Sequence, residues 1–254
     1  MTVPVKASVY NNLIDEINVR LRAGLPVQPS DVFWLNRVKQ DAKRLMKINA
    51  VEAYVVLAAI ASLEWDEKTA RSYLTSATNL QPGVLVKSQE IVLLTNFGYF
   101  LEAFRLVNET LSPELGMFQK FFNVFIMIGA FQQLEKFQQQ AMAMGIDLTG
   151  LPTELVSKAS HIMKSTHISD ERVVEFLNVA GSMLRDRKMF TLNEPVISVD
   201  DDPGHLPTVF VTFLVHVKPE VAADMTFELY EKLLDKFPDY PANLNIAFRS
   251  GSLQ

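Results

Sequence analysis

Cysteine is absent from this chain of 254 residues. Its absence excludes disulfide bonds, thiolate metal sites and a cysteine nucleophile. The chain also lacks the pairing of low hydrophobicity with high charge that marks disordered proteins, since 48% of its residues are hydrophobic and 21% are charged. It is long enough for one large domain or two modest ones, with a buried core.

Long hydrophobic runs are missing as well. The two longest apolar stretches, residues 51–63 and 121–131, are shorter than the roughly 18–20 residues that span a bilayer. Residues 1–8 do not contain the apolar segment of a secretory signal. We therefore expect a cytoplasmic protein that does not enter a membrane.

Recognisable catalytic motifs are the third absence. The sequence has no Gly-x-x-x-x-Gly-Lys-Ser/Thr loop, no Gly-x-Gly-x-x-Gly, no His-Glu-x-x-His and no Gly-x-Ser-x-Gly. These absences favour a non-enzymatic protein that needs no cofactor and no metal.

Charge is unevenly distributed along the chain. Residues 1–50 carry eight Lys/Arg against four Asp/Glu, whereas residues 194–254 carry four against ten. Such polarity is typical of solvated helix faces. It also fits a homodimer in which unlike ends of two copies meet.

Hydrophobic periodicity predicts two helices within residues 1–49. Apolar residues recur at three- and four-residue steps from Val9 to Leu21, and Gly24 ends that run. A second helix is predicted over residues 31–48. Its core candidates are Trp34, Val38, Leu45 and Ile48.

The second predicted helix is rich in basic residues. These are Arg37, Lys39, Lys43, Arg44 and Lys47. Together they would form a cationic face able to bind phosphates. Because Asp41 lies in the same helix and the pI of the chain is about 5.5, a solvated face is favoured over a nucleic-acid site.

From about residue 50 the chain becomes self-similar. Counted from residue 51 as position 1, the repeating pattern occupies positions 4, 7, 8, 11, 20, 24, 27 and 32. The residues there are Tyr54, Leu57, Ala58, Ala61, Ala70, Leu74, Ala77 and Pro82. This spacing resembles the tetratricopeptide repeat, in which small residues at positions 8 and 20 let two helices approach closely. Gly98 and Gly129 belong to two weaker units that share a Gly-x-Phe pattern, so the resemblance covers about residues 50–145.

The resemblance implies a solenoid of helical hairpins that binds a protein segment in its concave groove. The first helix of each hairpin would line that groove. The residues implied are Glu52, Val55, Val56, Ala59, Gln89 and Leu93. A stripe of phenylalanines, Phe118, Phe121, Phe122 and Phe125, is interpreted as core packing. The alternatives for this stripe are a partner groove or a dimer face.

After residue 190 the spacing of the apolar residues changes from helical periodicity to the alternation of a strand. The alternating pattern predicts strands at residues 196–199 and 209–217 and a last strand at residues 243–248. A helix is predicted to start at Pro219. His216 alternates with apolar residues and is interpreted as a core histidine. The predicted fold is mostly α and α+β overall, with tetratricopeptide-like hairpins followed by a small ββαβ domain. The predicted divisions are a helical pair at 1–49, a helical-repeat domain at 50–190 and an α+β domain at 191–254.

An acidic loop joins the first two predicted strands. It contains Asp200, Asp201, Asp202 and His205. Carboxylates at a strand end hold Mg²⁺ and a histidine serves as a base, so Asp201 and His205 are the weak catalytic candidates. Glu194 and Asp224 are the further ligands that such a site would use. The Asp-Pro-Gly sequence inside the loop favours an ordinary turn instead.

The combined patterns favour an adaptor, scaffold or regulator that binds a protein partner through a helical-repeat groove. Two alternatives remain open: a metal-dependent hydrolase or nuclease-like enzyme using the acidic loop, and a nucleic-acid-binding regulator using the basic helix.

Overall fold

The computed structural model describes residues 9–24, 27–110 and 118–251, without the side chains of residues 110 and 118–120. These residues form eleven α-helices, a short 3₁₀ helix and a three-stranded sheet. The chain is therefore mostly helical with an α+β organisation, as predicted. Within the described ranges, no helix combines the length and the apolar character needed to cross a bilayer.

Two helices precede the hairpins, as the periodicity predicts. Helix α1 spans Val9–Arg22, and helix α2 spans Val32–Leu45 after the 3₁₀ turn Pro29–Asp31. Ile48 lies beyond the end of α2 and is 79% exposed. Its predicted place in the core is wrong because the helix stops one turn earlier.

Three helical hairpins and two further helices follow. The helices are α3 (Ala50–Leu63), α4 (Glu67–Leu80), α5 (Val84–Asn96), α6 (Phe100–Thr110), α7 (Phe118–Ile128), α8 (Phe131–Ala143), α9 (Thr153–Ser165) and α10 (Asp170–Asp186). The small residues Ala58 and Ala70 are buried in the first hairpin, in line with close helix approach. The hairpins are α3–α4, α5–α6 and α7–α8, whereas α9 packs on α8, and α10 packs on α6, α7 and α8. Helices α9 and α10 lie beyond the repeats that the sequence indicated.

The turns after α3, α5, α7 and α9 share one geometry. Trp65, Gly98, Gly129 and His167 have φ angles of 54°, 71°, 70° and 58°. In each turn the next residue donates its N–H to the carbonyl five positions back, as in Tyr99 to Leu94. This is the Schellman ending of a helix, which requires a left-handed residue and so favours glycine.

Helix α10 explains why glycine occurs at two of these turns. A Cβ at Gly98 would lie 2.3 Å from the carbonyl oxygen of Gly181 of α10, and a Cβ at Gly129 would lie 2.5 Å from the side chain of Leu177 of α10. The repeated Gly-x-Phe pattern therefore marks two turns that α10 crosses at close range.

The sheet has one well-packed face. Strands β1 (Val196–Asp200), β2 (Thr208–Val215) and β3 (Leu244–Ser250) lie in that order, antiparallel then parallel. Helix α11 (Pro219–Lys236) connects β2 to β3. The central position of β2 matches its apolar sequence. Phe213 of β2 stacks on Phe100 of α6 at 5.7 Å, so the sheet and the helices share one core.

The shared core bears on two predictions for the C-terminal part. It extends across residue 191, and the three domain divisions stay predictions. His216 follows the end of β2 and is exposed. Its interpretation as a core histidine is wrong because the strand ends at Val215.

Candidate interaction groove

Four of the six residues predicted to bind a partner converge on one crevice between α3 and α5. They are Val55, Ala59, Gln89 and Leu93. Asn18 and Leu21 of α1 line the same crevice, which has a volume of about 20 Å³. That volume is close to the space of one water molecule. The crevice is therefore too small for a partner segment, and Asn18 and Leu21 of α1 help to close it.

Helix α1 packs its apolar face on α2 and α3, beside this crevice. Leu13, Ile17 and Leu21 recur every four residues and are buried in a cluster that includes residues of α2 and α3. At the N-terminal end, Gln89 Nε2 donates to Tyr10 Oη over 3.4 Å. Burial raises the pKa of Tyr10 to about 12.

The predicted outward orientation of Val55, Val56 and Leu93 is wrong. Their exposures are 1%, 0% and 4%. Helix α3 is covered on both sides, because Val56 faces the α1–α2 cluster and Val55 faces the α4–α5 cluster. The other three predicted residues, Glu52, Ala59 and Gln89, are half-buried. A partner-binding role for these six residues stays a prediction.

The phenylalanine stripe of α7 belongs to the core. Phe121, Phe122 and Phe125 are buried, and the Phe125 ring lies 5.5 Å from that of Phe137. The interpretation as core packing is confirmed for these three residues. The side chain of Phe118 lies outside the described part of the structure.

The basic residues of α2 divide into two sets. Lys39 and Lys43 line a crevice against α3 and α4, where Lys39 Nζ lies 2.7 Å from Glu64 Oε1. Arg37, Arg44 and Lys47 are exposed. The single cationic face expected for phosphate binding is thus split between a lined crevice and an outer stripe.

Acidic residues neutralise part of the outer set. Arg37 pairs with Glu16 and with Asp41, and Arg44 Nη1 lies 2.9 Å from Asp41 Oδ1. Lys47 has no ion pair among the described residues. This local compensation weakens the case for nucleic acid.

The side chains of three residues of the acidic loop lie close together. Ligand atoms of Asp200, Asp202 and His205 all lie within 4.8 Å of one another. His205 Nδ1 lies 3.3 Å from Asp200 Oδ2, and the Asp202 N–H donates to Asp200 Oδ1. Two carboxylates and an imidazole form a donor set that a divalent cation accepts, although the set lies on an exposed loop.

The other residues proposed for a metal site lie apart from this group. Asp201 turns to Lys158, with 3.5 Å between Oδ2 and Nζ. Glu194 accepts a hydrogen bond from Asn123 Nδ2 at 2.7 Å, and Asp224 is exposed on α11. Asp201, one of the two catalytic candidates, is thus outside the donor set, whereas His205 is inside it.

No family model, curated protein or solved structure matches this chain. The resemblance to tetratricopeptide repeats therefore rests on the residue spacing and on the packed helical hairpins. Function has to be argued from the groove itself.

The occupant of the groove was missed at the level of sequence. The four-residue spacing of Leu13, Ile17 and Leu21 identified a buried face on α1. Periodicity indicates that such a face packs somewhere, but it does not specify against which helices.

Proposed function

We propose that this protein is a non-enzymatic interaction module, serving as an adaptor, scaffold or regulator. It binds an amphipathic helix of a partner protein in the place of α1, on α2 and α3 beside the α3–α5 crevice. The supporting observation is that α1, an amphipathic helix with buried residues at Leu13, Ile17 and Leu21, packs on α2 and α3 through this face. Anchors at four-residue spacing in an apolar groove are the usual mode of helix recognition.

Helix α1 is attached mainly by side chains. Three of its 14 residues are buried. At its C-terminal end, the backbone N–H of Asn193 donates a hydrogen bond to the Arg22 carbonyl at 3.2 Å. Each buried aliphatic side chain contributes about 1.5–3 kcal/mol. A partner helix with the same anchor spacing can therefore compete with α1.

A peptide experiment on the full chain tests this proposal. The double variant Leu13→Ser, Ile17→Ser weakens the packing of α1, and a fluorescent peptide of residues 9–22 is then added. We expect the peptide to bind the variant at least tenfold more tightly than the wild-type chain, measured by anisotropy, because the groove is vacated. The matched control is the same peptide with serine at positions 13, 17 and 21.

Two results would count against the groove. One is a variant that keeps its helical circular dichroism and does not bind the peptide. The other is equal binding of the peptide to the variant and to the wild-type chain, which would place the peptide elsewhere. The variant Leu80→Ser, at an exposed position of α4, controls for nonspecific loss of an apolar side chain.

A metal-dependent hydrolase or nuclease is the second candidate, supported by the grouping of Asp200, Asp202 and His205. Calorimetric titration with Mn²⁺ tests it. Saturable binding that is lost in Asp202→Asn but kept in Asp201→Asn is the expected result. Heat equal to dilution would remove this candidate.

A further inference from the structure

Helices α2 and α11 each expose a stripe with the same spacing. The α2 stripe consists of Phe33, Arg37, Gln40, Arg44 and Lys47. The α11 stripe consists of Glu220, Asp224, Phe227, Glu231 and Leu234. Both follow the steps i, i+4, i+7, i+11 and i+14, which place side chains on one face of a helix. Lys47, the last residue of the α2 stripe, lies in the turn just after α2 ends at Leu45. All ten residues are exposed.

The α2 stripe combines an aromatic anchor with cations. Phe33 is 89% exposed, the highest value among the large apolar side chains of the described chain. Three cations follow it along the chain: Arg37 and Arg44, which also pair with Glu16 and Asp41, and Lys47. Val32 beside Phe33 is 49% exposed, and a patch of exposed apolar side chains marks a surface that another molecule can cover.

The α11 stripe has the opposite sign. Phe227 is 72% exposed and Leu234 is 56% exposed. The carboxylates of Glu220, Asp224 and Glu231 have no ion-pair partner within the described ranges. They are therefore available to face cations from outside the chain.

From this complementarity we infer that the α2 stripe of one copy docks on the α11 stripe of a second copy. Lys47 and the two arginines, which share their charge with Glu16 and Asp41 of their own chain, meet three carboxylates at matching spacing. Phe33, Phe227 and Leu234 leave water together. Opposed charges fix register and partner choice, and the apolar anchors supply the buried area. The net excess of base in residues 1–50 and of acid in residues 194–254 points in the same direction.

Each copy carries one stripe of each kind, so the contact forms twice in a two-fold dimer or once per copy in a ring or chain of copies. Arg37 of the α2 stripe pairs with Glu16 of α1 and is left unchanged in the test below. Neither stripe lines the α3–α5 crevice, so self-association and the proposed binding of a partner helix can fail separately.

Sedimentation velocity of the full chain with charge-reversed variants tests the contact. We expect the wild-type mass to rise above 28.7 kDa with concentration, and to do so less at high salt, because exposed charges are screened. Arg44→Glu with Lys47→Glu should stay monomeric, since both stripes are then acidic. Asp224→Lys with Glu231→Lys should also stay monomeric, since both are then basic. An equimolar mixture of the two variants should associate again, because acidic and basic stripes are both present.

A control with the same net charge change separates specific docking from general repulsion. The variant Lys68→Glu with Arg105→Glu alters exposed positions on α4 and α6 and should associate like the wild type. A wild-type chain that stays at monomer mass at every concentration overturns the inference, as does a mixture that does not associate. Salt-sensitive binding of Arg44 and Lys47 to RNA or to anionic vesicles by a monomeric chain would also overturn it and would assign the α2 stripe to that ligand.

Discussion

Helices α10 and α1 both lie across other helices, but they are held in different ways. Ten of the 17 residues of α10 are buried, compared with three of the 14 residues of α1. Backbone meets backbone where Gly181 of α10 faces Gly98, whereas α1 packs through side chains at four-residue spacing. The difference separates a helix that organises the core from one that occupies a groove.

Charged side chains of α10 strengthen its organising role. Asp170 accepts backbone N–H bonds from Gln132 and Gln133 at the start of α8, at 3.0 and 2.7 Å. Arg185 donates to the carbonyls of Phe97 and Gly98 at the end of α5. An anion at a helix N-terminus and a cation at a C-terminus both complement the helix dipole. Helix α10 therefore caps two of the helices that it crosses.

The substitution Gly181→Ala should have the largest effect on this comparison. Its Cβ would lie 2.2 Å from the Gly98 carbonyl oxygen, and neither backbone can yield without moving a helix. We expect the free energy of unfolding in urea to fall by about 3 kcal/mol. The adjacent Ser182→Ala is the control and should cost less than about 1 kcal/mol. A wild-type-like value for Gly181→Ala would mean that the two backbones are not in close contact.

Amide hydrogen exchange compares α1 and α10 directly. Because α1 has few buried contacts, it should open without unfolding the core. We expect the central amides of α1 to exchange about a hundredfold faster than those of α10, after correction for intrinsic rates. Equal protection of the two helices would show that α1 is part of the core and would weaken the case for a replaceable occupant.

The variant Asp170→Asn tests the capping by α10. The two carboxylate oxygens of Asp170 each accept one backbone N–H. In the asparagine variant only the amide oxygen can accept, and the amide NH₂ faces the second backbone N–H, which is also a donor. We expect a loss of about 2 kcal/mol in the free energy of unfolding.

The pH dependence of that loss has a defined sign. Burial raises the pKa of Asp170 in spite of its two backbone bonds. The folded state thus binds this proton more tightly than the unfolded state, so wild-type stability gains as pH falls from neutral towards the ordinary carboxyl pKa. The asparagine variant lacks this titration, and the wild-type advantage should grow on acidification. A difference that is constant between pH 7 and 4 would contradict the raised pKa.

The smallest expected effect concerns Tyr10, at the edge of the groove. Its raised pKa of about 12 means that the folded state disfavours the phenolate. The stability that this contributes is complete below pH 10 and is lost as pH rises towards 12. We expect wild type to lose about 1 kcal/mol more than Tyr10→Phe between pH 9 and 11, measured by urea unfolding. Parallel losses in the two proteins would indicate that Tyr10 titrates normally.

The sequence predicted local structure well and surfaces less well. The helices before residue 50, the first hairpin, the central position of β2 and the core role of Phe121 all follow from periodicity. The predicted groove residues Val55 and Val56 did not come out as outward-facing, because α3 is covered by helices that come before and after it in the chain. His216 and Ile48 were placed inside because alternation and periodicity were extended past the true element ends.

At the candidate metal site, too, the sequence identified the residues but not which of their side chains lie together. Adjacent aspartates in the sequence suggested one cluster, yet Asp201 pairs with Lys158 whereas Asp200 and Asp202 turn to His205. Successive side chains of a loop point in different directions, and the turn decides which of them meet.

Composition and spacing by themselves determined that this chain folds with a large core, forms helical hairpins and ends in a small sheet. These properties depend on neighbours within a few residues, through helix periodicity, strand alternation and turn chemistry. Only the tertiary structure decided that α1 packs on α2 and α3, that α10 crosses the glycine turns and that the α2 and α11 stripes stay uncovered. Each of these depends on which apolar faces meet across long separations in sequence, and a one-dimensional pattern does not contain that choice.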